Sequence, residues 1–358
     1  MKFVVNAHPS PVTAAVRATM IENPGFGRVF TDHMVTLRWT TAAGWHDAQI
    51  TARAPFSMDP ASAVLHYAQE VFEGMKAYRH ENGTVALFRP ELNAARFAQS
   101  AERLAMPALP EAVFIEAVEA LVSLDRDWIP AQPGALYLRP FMFATEAFLG
   151  VRPATEYTFC VIASPVGPYF KGGDKPLKLW VSEDYTRAAP GGTGAAKCGG
   201  NYAASLRAQA EAAQHGCDQV VFLDAAEHRW VEELGGMNIF FVMADGSITT
   251  PPIGGTILPG ITRQSLIELA TEAGIAINQS PYSMEQWRLD ATSGRVREAF
   301  ACGTAAVVAS IGEVISRSGS FRIADGTVGA LTRKLKDELT SLQSGKNADT
   351  RGWLRIVK

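Results

Sequence analysis

The sequence predicts a mixed α/β (α+β) protein of two domains, on three observations. Its 358 residues exceed what one hydrophobic core comfortably organises. Stretches rich in aromatic and β-branched residues are interspersed with stretches whose apolar residues recur at helical spacing. Pro165, Gly167, Pro168, Gly172, Gly173 and Pro176 then crowd together near the middle of the chain. These mark an N-terminal domain over residues 1–165, a linker over 166–175 and a C-terminal domain over 176–358.

Each element has its own signal. "VFEGMKAYRHENGTVALFRP" reads as two strands around an Asn82-Gly83 turn, a strong hairpin signature. In "ELNAARFAQSAERLAMP", Leu92, Ala95, Phe97, Ser100 and Leu104 are spaced as a helix that stops before Pro107. "ALYLRPFMFAT" and "TEYTFCVIASPV" read as two further strands. Beyond the linker, Asn201 caps a helix ending near Gly216. "CDQVVFLD" and "RWVEE" are strands, and "NIFFVMADGSITT" is a hairpin turning at Asp245-Gly246. "ITRQSLIELATEAG" is an amphipathic helix stopped by Gly274, and the polar tail from Ser344 to Thr350 frays before "WLRIVK".

Composition excludes several classes of function. A formal net charge of −3 gives no general attraction to nucleic acid or to an anionic membrane. The opening "MKFVVNAHPSPVTAAVRATM" is too interrupted for a signal peptide, and no apolar run reaches the roughly 18 residues of a membrane span. Cys160, Cys198, Cys217 and Cys302 are scattered, with no Cys-x-x-Cys pair and no histidines at metal spacing. The expectation is a cytoplasmic, reduced protein with no disulfide and no metal.

The chemistry begins at "GGTGAAKCGGNY", where Lys197 stands among glycines and alanines just before a helix. A desolvated lysine is a nucleophile towards carbonyls, and glycines let backbone approach a bulky ligand closely. A solvated surface loop has the same composition, so this stretch leaves both readings open. In "VEELGGMNIFFV", Glu233 ends a strand beside a glycine pair, and strand alternation sends Glu232 to the other, solvated face. In "GGTILPGITRQSL", the Gly260-Ile261-Thr262 stretch opens a helix, either as an anion-binding N-terminus or with Thr262 as a simple cap. Gly303-Thr304 in "REAFACGTAAVVAS" is a second anion-binding turn or a tight-packing turn.

In combination, "GGTGAAKCGGNY", "EELGGMNIFFV" and "LPGITRQSL" resemble the branched-chain amino acid aminotransferases of the fold-type IV pyridoxal phosphate enzymes. "GRVFTDHMVTLRW", "LHYAQEVFEGMKAYR", "LFRPELNAARF" and "LYLRPF" extend the resemblance in the same order, from about Phe26 to Ala309. The resemblance implies a two-domain architecture with pyridoxal 5′-phosphate held between domains. It implies a homodimer and transfer of amino groups between leucine, isoleucine or valine and 2-oxoglutarate.

Residue by residue, Lys197 would form the Schiff base and move protons. Glu233 would face the pyridine nitrogen and Tyr202 the phenolic oxygen. Arg96, Ile261, Thr262 and Thr304 would bind the phosphate, with Arg187 near the cofactor. Phe26, Tyr67, Tyr137 and Tyr169 would line an apolar substrate pocket, with Leu149, Val151 and Tyr67 lent across the dimer. Arg139 would receive glutamate's distal carboxylate and Ala305 the α-carboxylate. The partners are thus small amino acids and 2-oxo acids. Where mammalian members carry a Cys-x-x-Cys, this chain has Ala306 and Ala309, which removes a thiol switch of that type. Gly236 stands where some relatives have threonine. The competing readings are another fold-type IV enzyme (a D-amino acid aminotransferase or aminodeoxychorismate lyase), a cofactor-free Schiff-base lyase, and a non-catalytic binding protein.

Overall fold

A computed structural model describes residues 1–167 and 175–358. In chain order it opens with β1 (Val4–Val5), α1 (Ala14–Glu22), β2 (His33–Thr40), β3 (Gly44–Ala52) and α2 (Ala63–Tyr67). The short strands β4 (Glu70–Phe72), β5 (Met75–Arg79) and β6 (Val85–Phe88) follow. Helices α3 (Pro90–Arg103) and α4 (Glu111–Leu124) precede the long strands β7 (Ala135–Ala144) and β8 (Glu156–Val166). Next come β9 (Leu177–Ser182), α5 (Gly199–Gln214), β10 (Gln219–Leu223), β11 (Val231–Leu234), β12 (Asn238–Met243) and β13 (Ile248–Thr250). The chain ends with α6 (Ile261–Glu272), β14 (Ile277–Gln279), α7 (Met284–Ser293), β15 (Val296–Gly303), β16 (Val307–Ser316), β17 (Gly319–Arg322), α8 (Ala330–Gln343) and β18 (Leu354–Val357).

The chain divides into two compact units. The first comprises Met1–Tyr169, Ala196–Gly199 and Ser341–Lys358; the second comprises Phe170–Ala195 and Gly200–Thr340. Of the expected linker, residues 168–174 lie outside the described residues. Among the described residues, no helix is long and apolar enough to cross a membrane.

The first unit is built on a sheet in the order β1-β3-β2-β8-β7-β5-β6-β18, with β4 also paired to β7. Alternation along β7 sends Leu136, Leu138 and Met142 into the core, so Tyr137, Arg139 and Phe141 face the opposite side of the sheet. Helices α3 and α4 close the core, where the rings of Phe97, Phe114 and Phe159 meet with centroids 5.3–6.0 Å apart. Helix α3 begins with Pro90 at its first position, where the missing N–H costs nothing.

The second unit is built on a sheet in the order β11-β10-β9-β16-β15-β12-β13-β14, with β17 on β16. Parallel β9–β10 and β9–β16 pairs sit beside antiparallel hairpins, so both sheets are mixed. Its core gathers Phe241, Tyr282, Trp287 and Phe321.

Two local expectations change. Asn201 lies within the first turn of α5, its amide donating to the Thr193 carbonyl and its Oδ1 accepting from the Thr193 hydroxyl. The tail after Ser344 is anchored: the Ser344 carbonyl accepts from Gln132, Asp349 accepts the Leu354 N–H, and β18 pairs with β6. Polar composition concealed that this tail is tied down, in part by partners far away in sequence.

The connection between β7 and β8 is closed by charge. Arg152 donates to both oxygens of Glu146, at 3.0 and 2.6 Å, and Thr155 N–H donates to Glu146 at 2.6 Å. Arg152 also lies 3.9 Å from the centroid of Phe148. Gln69 holds the far side, donating to the Arg152 carbonyl and accepting from Ala154 N–H. The Arg152 hydrogen bonds, with those from Thr155, outweigh desolvation and hold the Glu146 carboxyl at about 2 rather than the usual 4.5. Because folding lowers this value, the ionised group favours the closed loop above the unfolded value, and that stabilisation disappears as pH falls from about 4.5 towards 2. A carboxyl-carbon NMR titration should place the Glu146 midpoint near 2; a midpoint near 4.5 would mean the ion pair does not form in solution.

Candidate active site

In the first unit, the site grows from one polar stripe on a buried helix face. Asn93, Arg96 and Ser100 of α3 are all buried, at a spacing that puts them on one side of the helix. Asn93 and Arg96 turn to Glu73, which is 0% exposed and follows β4 directly. Arg96 meets it through Nε at 2.7 Å and Nη2 at 2.8 Å, and Asn93 through Nδ2 at 2.7 Å. Burial alone would push the Glu73 carboxyl up. Arg96, then Lys197 and the Asn93 hydrogen bond, hold it below the ordinary value. The result is a buried carboxylate kept charged by its neighbours.

Lys197 is held by its backbone. Its N–H donates to Ser100 Oγ at 2.9 Å, and its carbonyl accepts the Phe72 N–H at 2.9 Å. Its amine lies 4.7 Å from the centroid of the Phe72 ring. The surrounding glycines have separate reasons. A β-carbon on Gly194 would strike the Thr256 carbonyl, and one on Gly199 would strike the Glu70 carboxylate, which accepts the Gly199 N–H.

From Phe72 a chain of contacts runs through Arg139 to Tyr137 and Phe26. Arg139 lies 4.8 Å from the Phe72 centroid and donates through Nη2 to the Tyr137 hydroxyl at 3.0 Å. Its buried Nε has no hydrogen-bond partner among the described residues. Phe26 meets Tyr137 edge-on at 5.0 Å, and Gly74 makes room for the Tyr137 hydroxyl, which a β-carbon would strike. Tyr67 donates to the Leu149 carbonyl at 2.5 Å, while the side chains of Leu149 and Val151 are 66% and 86% exposed. Tyr169 lies outside the described residues.

In the second unit, Glu233 lies within β11 and its side chain is 3% exposed. Arg187 pairs with its Oε1 at 2.8 Å, and the Leu258 N–H donates to the same oxygen at 3.0 Å. Arg187 also donates to the carbonyls of Gly194 and Thr256, at 3.3 and 2.9 Å. One guanidinium therefore fixes the carboxylate and two backbone turns. Glu232 corrects an expectation: it is not solvated but buried, accepting the Thr256 hydroxyl at 2.5 Å, and desolvation raises its carboxyl above the usual value.

The same turn leads into α6. Asn238 Nδ2 donates to the Leu258 carbonyl, and its Oδ1 fills the space where a β-carbon on Gly260 would sit. Gly260 is the N-cap and supplies no side-chain hydrogen bond, so Thr262 lies inside the helix rather than capping it. Ile261 and Thr262 are 8% and 6% exposed, which leaves a buried helix start suited to an anion. Thr304 and Ala305 occupy the turn between Gly303 and Val307, which pair across β15 and β16. Val307 has φ 63°, a conformation costing a β-branched residue on the order of 1–3 kcal/mol. The close approach of Gly303 to the Gly236 carbonyl, 3.4 Å from a β-carbon, packs this turn on the β11–β12 turn. Tyr202 lies near Gly236, 3.8 Å from where a β-carbon would be, so a larger residue there would meet it in ordinary contact.

Sequence reasoning passed over Glu70, Glu73, Asn93 and Ser100. The available signal was a carboxylate beside apolar Val71 and Phe72, together with polar residues on the helix face that also carries Ala94, Phe97 and Ala101. Among the described residues, no group of three or more His, Cys, Asp or Glu side chains could hold a metal ion.

The family described as Amino-transferase class IV matches residues 70–314. The branched-chain-amino-acid aminotransferase of Mycolicibacterium smegmatis is 54% identical, over 99% of this chain and 98% of its own length. A probable branched-chain-amino-acid aminotransferase of Streptomyces coelicolor is 55% identical over 98% and 97%. Among solved structures, the branched-chain amino acid aminotransferase from Escherichia coli superposes with a TM-score of 0.74 at 28% identity, covering 91% of this chain and 99% of its own. The branched-chain amino acid aminotransferase from Thermobaculum terrenum, solved in its PLP form, does so at 0.72 and 26%, covering 90% and 98%. With 54% identity averaged over 99% of its length and a family match over residues 70–314, the chain belongs to the branched-chain-amino-acid aminotransferases of class IV.

Proposed function

We propose that this aminotransferase moves amino groups between leucine, isoleucine or valine and 2-oxoglutarate, with pyridoxal 5′-phosphate as cofactor. The observation that carries the reading is Lys197, an amine on the Phe72 ring whose backbone is fixed through both its N–H and its carbonyl. The residues fit the cofactor's chemistry. The buried, uncapped start of α6 suits a phosphate, and Glu233 is a buried carboxylate set by Arg187. When bound, the cofactor supplies an electron sink for negative charge at the substrate's α-carbon.

Lys197 would hold the cofactor and move the proton at that α-carbon. Glu233 would keep the pyridine nitrogen protonated, and Tyr202 would bond the phenolic oxygen. Arg96, the Ile261 and Thr262 backbone and Thr304 would bind the phosphate, and Arg187 acts by holding Glu233. Phe26, Tyr67, Tyr137, Tyr169, Leu149 and Val151 would form the apolar walls, excluding water from the side chain of leucine. Such walls separate substrates by only about 1–3 kcal/mol per methylene, so the three branched amino acids should compete closely. Arg139 would bind the distal carboxylate, which its Nε, without a hydrogen-bond partner among the described residues, supports, and Ala305 the α-carboxylate. The reading includes a cytoplasmic homodimer. The exposed apolar side chains of Leu149 and Val151 support the dimer, and the four free, buried cysteines support a reducing compartment.

Purified protein supplied with pyridoxal phosphate should show a visible absorption band that shifts with leucine and returns with 2-oxoglutarate. Lys197→Ala should fail to complete that cycle. No band would sink the cofactor assignment and favour a cofactor-free lyase. Glu233→Gln should slow the leucine half-reaction by about 100-fold or more. It should also lower unfolding free energy by about 3–5 kcal/mol in denaturant titrations, because Arg187 loses its charged partner. Arg139→Met should raise KM for 2-oxoglutarate by roughly tenfold to a hundredfold while KM for leucine stays within about twofold; equal changes in both would remove Arg139 from carboxylate recognition.

A further inference from the structure

Glu70 has no place in the chemistry assigned so far, yet its carboxylate lies against the lysine segment. It stands at the start of β4, which is paired to β7 with Glu70 opposite Phe143 and Phe72 opposite Phe141. Residues two apart on a strand share a face, so Glu70 and Phe72 present their side chains to the same side. Both reach the segment carrying Lys197. Phe72 donates its N–H to the Lys197 carbonyl at 2.9 Å and lays its ring under the amine. Glu70 accepts the Gly199 N–H through Oε1.

Gly199 is the first residue of α5, whose opening N–H groups have no partner within the helix. A carboxylate satisfies such a donor more strongly than a neutral group and complements the positive end of the helix. The cap comes from another element rather than from the chain just before the helix. The side chain is partly buried, and desolvation raises its carboxyl above the usual value, against the opposing pull of Gly199 N–H and then Arg139. Gly199 is also the residue that this contact demands, because a β-carbon there would occupy the position of the carboxylate oxygen.

We propose that Glu70 is a positioning residue for Lys197: by capping α5 at Gly199 while Phe72 binds the Lys197 carbonyl, one three-residue strand fixes the backbone at and beyond the amine. Ser100 fixes the N–H before it. The lysine therefore enters each turnover with its backbone already set, and its side chain alone moves. This inference rests on the role given to Lys197 above.

The test compares Glu70→Ala, Glu70→Gln and Gly199→Ala in the full-length, cofactor-loaded protein, and follows hydrogen exchange of residues 197–201 in both loaded and cofactor-free protein. Loss of a hydrogen bond to a charged acceptor should speed exchange there by roughly tenfold or more in Glu70→Ala. It should lower kcat by about tenfold, with KM for leucine within about twofold. Glu70→Gln keeps an accepting oxygen and should stay within about threefold of the parent in both readouts. Gly199→Ala, which displaces the carboxylate instead of deleting it, should reproduce the alanine variant. Unchanged exchange in Glu70→Ala, or a glutamine variant as impaired as the alanine one, overturns the proposal. If Glu70→Ala does not fold, Gly199→Ala and Glu70→Gln decide it. If the parent protein does not turn over leucine, the functional reading fails, and the exchange data still decide the cap.

Discussion

Burying Glu73 completely is the constraint from which the setting of Lys197 in the first unit follows. A carboxylate taken out of water needs an opposite charge and hydrogen bonds on its remaining lone pairs. Arg96, Asn93 and the Gly74 N–H supply them, which commits one face of α3 to the polar stripe and fixes that helix against the β4–β5 connection. Ser100 belongs to that stripe and holds Lys197. The lysine's position thus follows from how a buried charge is compensated, with no need for the glycine-rich loop to be rigid by itself.

The second unit solves the same problem with another arginine and another backbone N–H. Glu233 is compensated by Arg187, and Arg187 in turn collects carbonyls from the Gly194 and Thr256 turns. Leu258 and Asn238 extend the network to the beginning of α6. A carboxylate, a loop and a helix start are thereby kept in register by charge-assisted hydrogen bonds of fixed geometry, the arrangement that ligand preorganisation requires. Breaking any one bond leaves a buried polar group without compensation, so such networks behave as units rather than as sums.

Much of the fold was legible because its signals are local. The Asn82-Gly83 and Asp245-Gly246 turns mark the β5–β6 and β12–β13 hairpins, and apolar spacing marks α3 and α6. The buried polar pairs were not legible, because nothing near Glu73 announces a partner 23 residues away. The burial of Glu232 is hidden for a related reason: alternation says which face a strand residue takes, but not whether that face is covered. Here the Thr256 turn covers it. Near Lys197, composition reveals the glycines but not the causes of Gly194 and Gly199, the Thr256 carbonyl and the Glu70 carboxylate, which come from distant parts of the chain.

The pairing of β18 with β6 has a consequence for how the molecule is made. The first unit's sheet acquires an edge strand only from residues 354–357, after the whole second unit has been synthesised. Until then β6 presents an open row of N–H and carbonyl groups, available to any other extended strand. The last strand pairs Leu354–Val357 with Val85–Phe88, a closure between distant parts of the chain that is slow by the logic of chain topology. The unit that holds Lys197 is therefore completed by strands from widely separated parts of the chain, with residues 200–340 of the second unit lying between them in sequence.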